Sequence, residues 1–425
     1  MEKALIQRIY REQQLAFSAK FTDIQRALDV SAHLRRNKEV STITGVRRCG
    51  KSTLLRQIRA GLAPEAQVLY AGFDDPRYLS FAATDFETLY EIWLEEAVRD
   101  KPHYLFFDEI QNVQGWERWV DYFSKRPHTK VFVTGSNASL LSSELSTLLT
   151  GRHQELHLTP LSFREVYLSR RAAASTSADT PEGRAEARKL MVEYYEFGGF
   201  PRAFLDRDAA ILNQYYSDII ERDILRRLRR ANARYLTELG TILAAESTRL
   251  FNRSHVAKTL GLKDQVTVGR YTDAFVATYL YQELRAYSPS VRKQLRSLSK
   301  FYCVDHAMAR ESGLRSPVES GSSLEIMVQA ELQRTGLDIY YWKSKDDFEV
   351  DFLLVDRRKP VAAVQVAYAV QDRRTQEREV RALQAVAQEL KVKDLYLITY
   401  EDVPVLADGH IRSTSFSEFA LNGLK

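Results

Sequence analysis

The chain has 425 residues, 44% of them hydrophobic and 11% aromatic, which is enough apolar material for two or three cores and excludes a disordered chain. Lysine and arginine number 61 against 56 aspartate and glutamate, and the net charge of +5 permits an acidic partner without requiring one. Two distant cysteines, Cys49 and Cys303, exclude a disulfide framework and a zinc cage. Because no signal-peptide core and no stretch of about 18 apolar residues is visible, we expect a cytoplasmic protein that does not span a membrane.

Strand-like apolar runs alternate with helical patterns over the first 160 residues, which is typical of an α/β fold. A helix is expected over 24–34. The predicted strands are 39–45, 67–73, 103–110, 130–135 and 153–158. Such near-continuous apolar runs favour a parallel sheet that is buried on both faces.

From residue 161 onward the pattern becomes helical, and a Ser/Thr/Ala/Pro-rich stretch over 172–185 is expected to be an exposed loop. Short helices and two strand-like runs follow, and the chain then returns to mixed strands and helices. We therefore predict three domains after an N-terminal helix. The predicted divisions are 1–20 for that helix, then 21–231, 232–317 and 318–425 for the domains.

A glycine-rich loop follows the first predicted strand. Residues 45–52, Gly-Val-Arg-Arg-Cys-Gly-Lys-Ser, match the phosphate-binding P-loop spacing and precede a helix expected over 52–60. Backbone N–H groups of such a loop point at phosphate oxygens, and the helix N-terminus adds its dipole. Lys51 is expected to reach the β- and γ-phosphates and Ser52 to bind Mg²⁺. The predicted nucleotide-binding residues are Gly45, Val46, Arg47, Arg48, Cys49, Gly50, Lys51, Ser52 and Thr53.

The predicted strand over 103–110 ends in two carboxylates, Asp108 and Glu109, which is a Walker B pattern. Asp108 is expected to bind Mg²⁺, directly or through water, and Glu109 to accept the proton of an attacking water. An Asp-Glu pair after a strand can also be a solvated turn. The P-loop upstream favours one shared nucleotide site, since the carboxyl ends of parallel strands collect ligands.

These motifs, with segments 133–137, 151–152 and 198–201, resemble the archaeal and bacterial AAA-type ATPases related to the STAND class. The resemblance spans most of the chain and implies a P-loop NTPase sheet with a helical lid. It implies that Asn137, alone or with Ser136, senses the γ-phosphate. It also implies that Arg152 is an arginine finger or sensor, acting in cis or across a subunit boundary of a homo-oligomer. An ordinary surface arginine is the alternative for Arg152.

Two local patterns near the P-loop have competing interpretations. The thiol of Cys49 could be acidified by helix N–H groups and oxidised, whereas the simpler interpretation is a small tolerated residue. His153, Glu155 and His157 alternate onto one face of a strand, as metal ligands could. No fourth ligand has a helpful spacing, so we favour a structural role for them.

The middle domain contains a helix-turn-helix pattern over 254–271, with Gly261 at the turn, and looks like a winged helix. The following window, 285–304, contains five basic residues and no acidic one. Its basic and aromatic residues are Arg285, Arg292, Lys293, Arg296, Lys300, Tyr287, Phe301 and Tyr302, and a second basic stripe consists of Arg222, Arg226 and Arg229. Such cations could bind DNA phosphates, and a protein contact or a solvated face is the alternative.

The last domain resembles the PD-(D/E)XK nuclease fold, with Glu325 on a helix and Asp351 on a strand. That chemistry needs an acidic residue and a Glu-x-Lys on adjacent strands, but this chain has Gln365 and Ala367 there. One metal-binding charge and the lysine are lost, so we expect an inactive fold that is kept for binding. Glu349 shares a strand face with Asp351 and is a candidate substitute ligand.

We therefore expect an ATP-binding protein, with ATP and Mg²⁺ as cofactors, that hydrolyses ATP and acts as a nucleotide-driven switch or motor. DNA, further copies of the chain and an unidentified protein are the candidate partners. Two alternatives stay open: a metal-dependent DNA nuclease regulated by ATP, and a nucleotide-gated scaffold that does not hydrolyse ATP.

Overall fold

The computed structural model describes residues 1–36, 38–137, 152–171, 180–228, 231–313, 320–369, 373–400, 406 and 408–424. Contacts divide the chain into two compact units. Unit 1 comprises Met1–Thr159 with Ala277–Tyr279, and unit 2 comprises Pro160–Val276 with Leu280–Lys425. The predicted domain boundaries at 231 and 317 both lie inside unit 2 and stay predictions.

Unit 1 is built on a five-stranded, wholly parallel sheet. Its strands are β1 (Val40–Thr44), β2 (Gln67–Gly72), β3 (His103–Asp108), β4 (Thr129–Gly135) and β5 (His153–His157), in the spatial order β2-β3-β4-β1-β5. The central strands β1 and β4 are buried throughout, as strands covered on both faces require. The five predicted strands are confirmed, and the architecture fits the predicted P-loop NTPase fold.

The helices of unit 1 are Lys3–Ser18, Ser31–Arg35, Lys51–Ala60, Asp85–Leu94 and Trp116–Ser124, with 3₁₀ turns at Pro76–Tyr78 and Ile110–Asn112. One apolar core includes Ile6 and Ile9 of the first helix together with Phe86, Trp93 and Phe107. Burial of this apolar surface is the main force that holds the helices on the sheet.

The helix expected over 24–34 is wrong for its first seven residues, because regular helix begins only at Ser31. The Gln57 side chain satisfies the backbone there instead: its Oε1 accepts from the Arg26 N–H at 3.0 Å, and its Nε2 donates to the Ile24 carbonyl at 2.9 Å. These long-range bonds replace the i to i−4 bonds of a helix.

Unit 2 contains two sheets. A three-stranded antiparallel sheet has the order β6-β8-β7, and a mixed sheet has the order β13-β12-β11-β10-β9. The strands are β6 (Leu250–Phe251), β7 (Tyr281–Arg285), β8 (Ser299–Cys303), β9 (Asp338–Lys343), β10 (Glu349–Asp356), β11 (Lys359–Ala367), β12 (Asp394–Thr399) and β13 (Ile411–Ser415).

The first half of unit 2 is mainly helical. Its helices are Phe163–Arg171, Pro181–Phe197, Pro201–Asp206, Ile211–Ile219 continued by π-helix Ile220–Leu225, Ala233–Ala245, Arg253–Thr259, Gln265–Ala277, Val291–Arg296 and His306–Ser312. The mixed sheet carries helices Ser320–Gln333, Arg373–Leu390 and Phe416–Asn422. Among the described residues, no helix is both long and apolar enough to cross a membrane.

The loop expected over 172–185 ends earlier than predicted. Helix Pro181–Phe197 begins inside it, with Thr180 as a side-chain cap whose Oγ1 accepts from the Gly183 N–H at 3.1 Å. The Thr-Pro pair is a helix-start signal that the loop-like composition concealed. Residues 172–179 lie outside the described residues.

Two helices, Arg253–Thr259 and Gln265–Ala277, cover the predicted helix-turn-helix pattern. Gly261, between them, has the positive φ of +67° that a glycine turn accommodates. The adjacent three-stranded sheet and the mixed sheet are compatible with the winged-helix and nuclease-like interpretations, which both stay predictions. In the second basic stripe, Arg222 and Arg226 are exposed, while Arg229 lies outside the described residues.

Candidate nucleotide site

The predicted site residues converge on the carboxyl edge of the parallel sheet of unit 1. β1 leads into the glycine-rich loop, β3 ends at Asp108, and β4 is followed by Asn137, which is buried. Register confirms the common edge, since Thr44 pairs with Gly135 and Gly72 with Asp108. Ligands of open α/β sheets bind at this edge.

Two glycines give residues 45–50 a conformation that other residues adopt with strain. Gly45 has a φ of +147°, and a Cβ added there would lie 2.1 Å from the Leu158 carbonyl oxygen. Gly50, with a φ of +103°, is the N-cap of helix Lys51–Ala60. The loop therefore turns directly into a helix N-terminus, which is the arrangement that favours phosphate binding.

Lys51 begins that helix and its side chain is only 4% exposed. Its ammonium donates to the Gly45 carbonyl at 3.1 Å and to the Val46 carbonyl at 3.2 Å, and its Nζ lies 3.6 Å from Glu109 Oε1. The lysine thus lies between its own loop and the Walker B carboxylate.

Asp108 is a buried carboxylate with three hydroxyl donors. Thr134 donates to its Oδ1, Tyr70 donates to its Oδ2 at 3.1 Å, and the Ser52 side chain is a third hydrogen-bond partner. Burial, and then the nearby charge of Glu109, raise the pKa of Asp108. A serine hydroxyl beside a carboxylate is an oxygen donor set that suits Mg²⁺, so these two residues fit their predicted role.

Glu109 is held in a left-handed backbone conformation, with φ 48° and ψ 45°. Its N–H donates to Thr134 Oγ1 at 2.9 Å, and the Gln111 amide donates to its carboxylate. Burial alone would raise the pKa of Glu109, but Lys51 and then Arg47 outweigh burial and lower it. A carboxylate that is ionised at neutral pH can accept a proton from water.

Sequence reasoning missed the two hydroxyls that position these carboxylates. Thr134 receives the Glu109 N–H and donates to Asp108, and Tyr70 reaches Asp108 from β2. The sequence signal for Thr134 is a hydroxyl near the end of an apolar strand, because a buried hydroxyl normally has a hydrogen-bond partner.

The structure does not bring Arg152 to this group. Its carbonyl accepts from the N–H of Val40, the first residue of β1, so Arg152 lies at the amino edge of the sheet while the glycine-rich loop follows the carboxyl edge. The side chain is exposed and lines a cavity of about 420 Å³ that Lys38, Arg126 and His128 also line. The predicted cis sensor contact is therefore absent between these described residues. Gly151, its neighbour in the predicted motif, lies outside them.

Cys49 does not meet the expectation of an acidified thiol. It is fully buried, its Sγ donates to the Leu158 carbonyl at 3.3 Å, and burial raises its pKa. The simpler interpretation, a small residue that fits the loop, agrees with this geometry.

The residues around His157 form a hydrogen-bonded cluster at the β5 edge of unit 1. Glu155 Oε1 accepts from Thr44 at 2.8 Å and from Tyr279 at 3.3 Å, and the His157 ring lies against the Tyr279 ring with centroids 4.6 Å apart. Within the described part of the chain, no group of three or more His, Cys, Asp or Glu residues is arranged to hold a metal ion. The structural role favoured for these residues agrees with their contacts.

The basic window over 285–304 separates into two parts. Arg285, Arg292, Lys293 and Arg296 are exposed, whereas Lys300 is buried among carboxylates in unit 2. Sequence reasoning grouped Lys300 with the surface cations, and that grouping is wrong because β8 is buried on both faces from Lys300 onward.

Comparison with protein families agrees with the fold of unit 1. Residues 37–167 match the AAA domain family, and this match together with the parallel sheet defines an AAA-type P-loop ATPase domain. Residues 188–317 and 320–417 match two domains of unknown function, DUF8612 and DUF4143.

The chain belongs to the same family as two uncharacterized proteins. One, from Haemophilus influenzae, is 30% identical over 346 residues, which cover 78% of this chain and 83% of the relative. The other, MJ1544 of Methanocaldococcus jannaschii, is 30% identical over 388 residues, which cover 88% of this chain and 85% of the relative.

Similar solved structures include the ADP form of the Aeropyrum pernix ORC2 protein, at 16% identity and a TM-score of 0.32, covering 78% of this chain and 93% of that one. A STAND protein with a tetratricopeptide repeat sensor from Pyrococcus horikoshii has 14% identity and a TM-score of 0.26. The match covers 75% of this chain and 47% of that one. Similarity at these TM-scores carries no conclusion about function.

Proposed function

We propose that the chain binds ATP with Mg²⁺ and hydrolyses the γ-phosphate bond. The observation that carries this proposal is the convergence of Lys51, Asp108 and Glu109 beneath a glycine-rich loop that opens into a helix. A structural turn needs no buried lysine beside a carboxylate and no second carboxylate with three hydroxyl donors.

Each group has a distinct role in this proposal. Lys51 exchanges its two loop carbonyls for phosphate oxygens, which as anions are stronger acceptors. Ser52 and Asp108 hold Mg²⁺, which neutralises charge on the phosphates. Glu109, already ionised, accepts a proton from the attacking water, and Thr134 fixes its backbone. Asn137, buried at the same edge, contacts the γ-phosphate.

Two substitutions test the site. Lys51→Ala should weaken ATP binding by about 100-fold or more, because it removes the phosphate cation. Glu109→Gln should keep ATP affinity within a few-fold and lower turnover by roughly 10²- to 10⁴-fold, because it removes only the proton acceptor. Calorimetry measures binding and phosphate release measures turnover.

Lys3→Ala is the matched control for the lysine, because Lys3 is exposed in unit 1 and its described ion pair is with Glu95, away from the site residues. It should leave both binding and turnover unchanged. Wild-type ATP affinity in Lys51→Ala would refute the nucleotide site, while normal turnover in Glu109→Gln would refute the assigned base.

We also propose that Arg152 acts in trans, in an oligomer. Its exposed position at the amino edge of the sheet supports this role, because a neighbouring copy can reach it. Turnover should then rise with protein concentration, and a mixture of Arg152→Ala and Lys51→Ala chains should recover activity that neither has alone. Concentration-independent turnover without recovery would leave Arg152 as a surface residue.

A second candidate function is ATP hydrolysis coupled to DNA. Its support is a set of exposed cations, Arg292, Lys293 and Arg296, on the short helix Val291–Arg296. The window 285–304 around this helix contains no acidic residue. Duplex DNA should stimulate turnover, less so at high salt, and Arg292→Glu with Lys293→Glu should abolish the stimulation. Stimulation unchanged in that double variant would contradict this surface, and no stimulation would favour a protein partner.

A further inference from the structure

The C-terminal carboxylates predicted for a nuclease-like metal site enclose a lysine. Lys300 of β8, with a side chain only 5% exposed, has its Nζ 2.7 Å from Glu349 Oε1, 3.6 Å from Glu325 Oε1 and 3.9 Å from Asp351 Oδ1. Glu349 and Asp351 lie on β10, and Glu325 lies on helix Ser320–Gln333. Three elements of unit 2 thus meet around one ammonium group.

The carboxylates are also engaged away from the lysine. Tyr302 donates to Glu325 Oε1 at 2.6 Å, and the Val366 N–H donates to Asp351 Oδ2 at 3.0 Å. On the remaining side, the Tyr341 ring centroid lies 5.7 Å from Lys300 Nζ. The ammonium therefore has an anionic and aromatic surrounding that stabilises a single positive charge.

Gln365, at the position where nuclease chemistry requires a glutamate, is part of a separate network. Its Oε1 accepts from the Asp351 N–H at 3.2 Å, and its Nε2 donates to Glu379 Oε2 at 2.8 Å. Glu379 is in turn paired with Arg378. Gln365 therefore fixes the backbone of Asp351 and the carboxylate of Glu379.

The geometry does not fit the divalent metal that the nuclease-like interpretation implies. Mg²⁺ and Ca²⁺ require oxygen ligands at about 2.0–2.6 Å, so the carboxylates would have to contract onto the volume that the ammonium fills. In the part of the chain that the structure describes, no set of three or more His, Cys, Asp or Glu residues is arranged to hold a metal ion. A second cation there would also face the fixed charge of Lys300.

We propose that Lys300 is a built-in counter-ion that occupies the cation position of this cluster and keeps divalent metal ions out of it. Because Lys300 lies on β8, the excluding charge comes from the three-stranded sheet and not from the mixed-sheet strands that carry the nuclease-like pattern. The C-terminal part of the chain then has no metal-dependent phosphodiester cleavage, and the cluster instead joins β8 to β10.

The test is Mn²⁺ binding to the full chain without nucleotide, measured by electron paramagnetic resonance. Mn²⁺ that binds at this cluster is distinguished from Mn²⁺ at any other site because Asp351→Asn removes only the former. Wild type and Asp351→Asn should bind Mn²⁺ equally. Lys300→Met, which keeps the aliphatic stem, should bind Mn²⁺ at least about 10-fold more tightly than the double variant Lys300→Met with Asp351→Asn, because three carboxylates lose their counter-ion.

Lys359→Met is the matched control, because Lys359 is an exposed lysine at the start of β11 whose register partner is Asp356, at the end of β10 away from the cluster, and it should bind like wild type. The proposal is overturned if Asp351→Asn weakens Mn²⁺ binding by the wild-type chain. It is also overturned if folded Lys300→Met and its double variant bind Mn²⁺ equally.

If Lys300→Met does not fold, two measurements still test the proposal. One compares Mn²⁺ binding by wild type and by Asp351→Asn, and the other is a nicking assay on supercoiled DNA with Mg²⁺ or Mn²⁺. No nicking by wild type is expected. Nicking that Asp351→Asn removes would overturn the proposal and leave the ATPase proposal untouched, since neither residue is part of the nucleotide site.

Discussion

Lys51 of unit 1 and Lys300 of unit 2 are both buried beside carboxylates, and they differ in how completely their charge is compensated. In unit 1, Lys51 donates to two neutral carbonyls and has Glu109 at 3.6 Å. In unit 2, Lys300 has three carboxylates within 3.9 Å. Lys51 can exchange neutral acceptors for an anion, whereas any anion at Lys300 would have to displace a carboxylate.

The pKa directions agree with this contrast. Burial alone would lower the pKa of Lys300, but Glu325, Asp351 and Glu349 outweigh it and raise the pKa. Burial, followed by Glu325, raises the pKa of Asp351. A lysine among carboxylates therefore indicates a ligand site only when part of its charge is left for the ligand.

The largest expected effect is on stability. Lys300→Met should lower the free energy of unfolding of unit 2 by about 3–5 kcal/mol near neutral pH, because it leaves buried carboxylates without their cation. Lys51→Met, which leaves the single carboxylate of Glu109 without its lysine, should lower the free energy of unfolding of unit 1 clearly less. Urea unfolding followed by circular dichroism measures both, and equal losses would remove the distinction between the two lysines.

The Lys300→Met deficit should depend on pH. Burial raises the pKa of both Glu325 and Asp351, so their neutral forms are favoured in the folded chain. The stability they contribute is present at low pH and is lost as pH rises through their folded pKa values. The deficit should therefore shrink as pH is lowered from about 8 to about 5. A deficit that stays constant over this range would indicate lost packing instead of uncompensated charge.

A smaller effect is expected from the hydroxyl that organises the nucleotide site. Thr134→Val should lower ATP turnover by roughly 10- to 100-fold, because Asp108 loses a donor and the Glu109 N–H loses its acceptor. Thr42→Val is the matched control, since the buried Thr42 hydroxyl on β1 has no hydrogen-bond partner within the described residues. Equal turnover in the two variants would show that Thr134 is only a packing residue.

The smallest effect concerns the thiols. Burial raises the pKa of Cys49, and it raises the pKa of Cys303 to about 12. Neither should react measurably with Ellman's reagent at pH 8 in the native chain, and both should react after denaturation. Rapid native labelling of Cys49 that ATP blocks would restore the redox interpretation.

The sequence was most informative where chemistry is local. Residues 45–52 and the pair at 108–109 are contiguous motifs, and the strands before them are apolar runs, so both the sheet and the centre of the site could be predicted. The burial of Lys300 could not be predicted, because its carboxylate partners come from helix Ser320–Gln333 and from β10, which follow later in the chain. Whether Arg152 acts in cis or in trans could not be predicted, because a motif gives residue order but not which edge of the sheet a residue occupies.

The segment Ala277–Tyr279 has a practical consequence for dissecting the protein. Unit 1 is discontinuous: it ends at Thr159 and regains these three residues much later, and Tyr279 supplies a hydroxyl to Glu155 and a ring to His157. A truncation after Thr159 would discard that contribution and leave the β5 edge incomplete. Fragments for separate expression therefore have to restore Tyr279, for example by a linker that carries 277–279 back to β5.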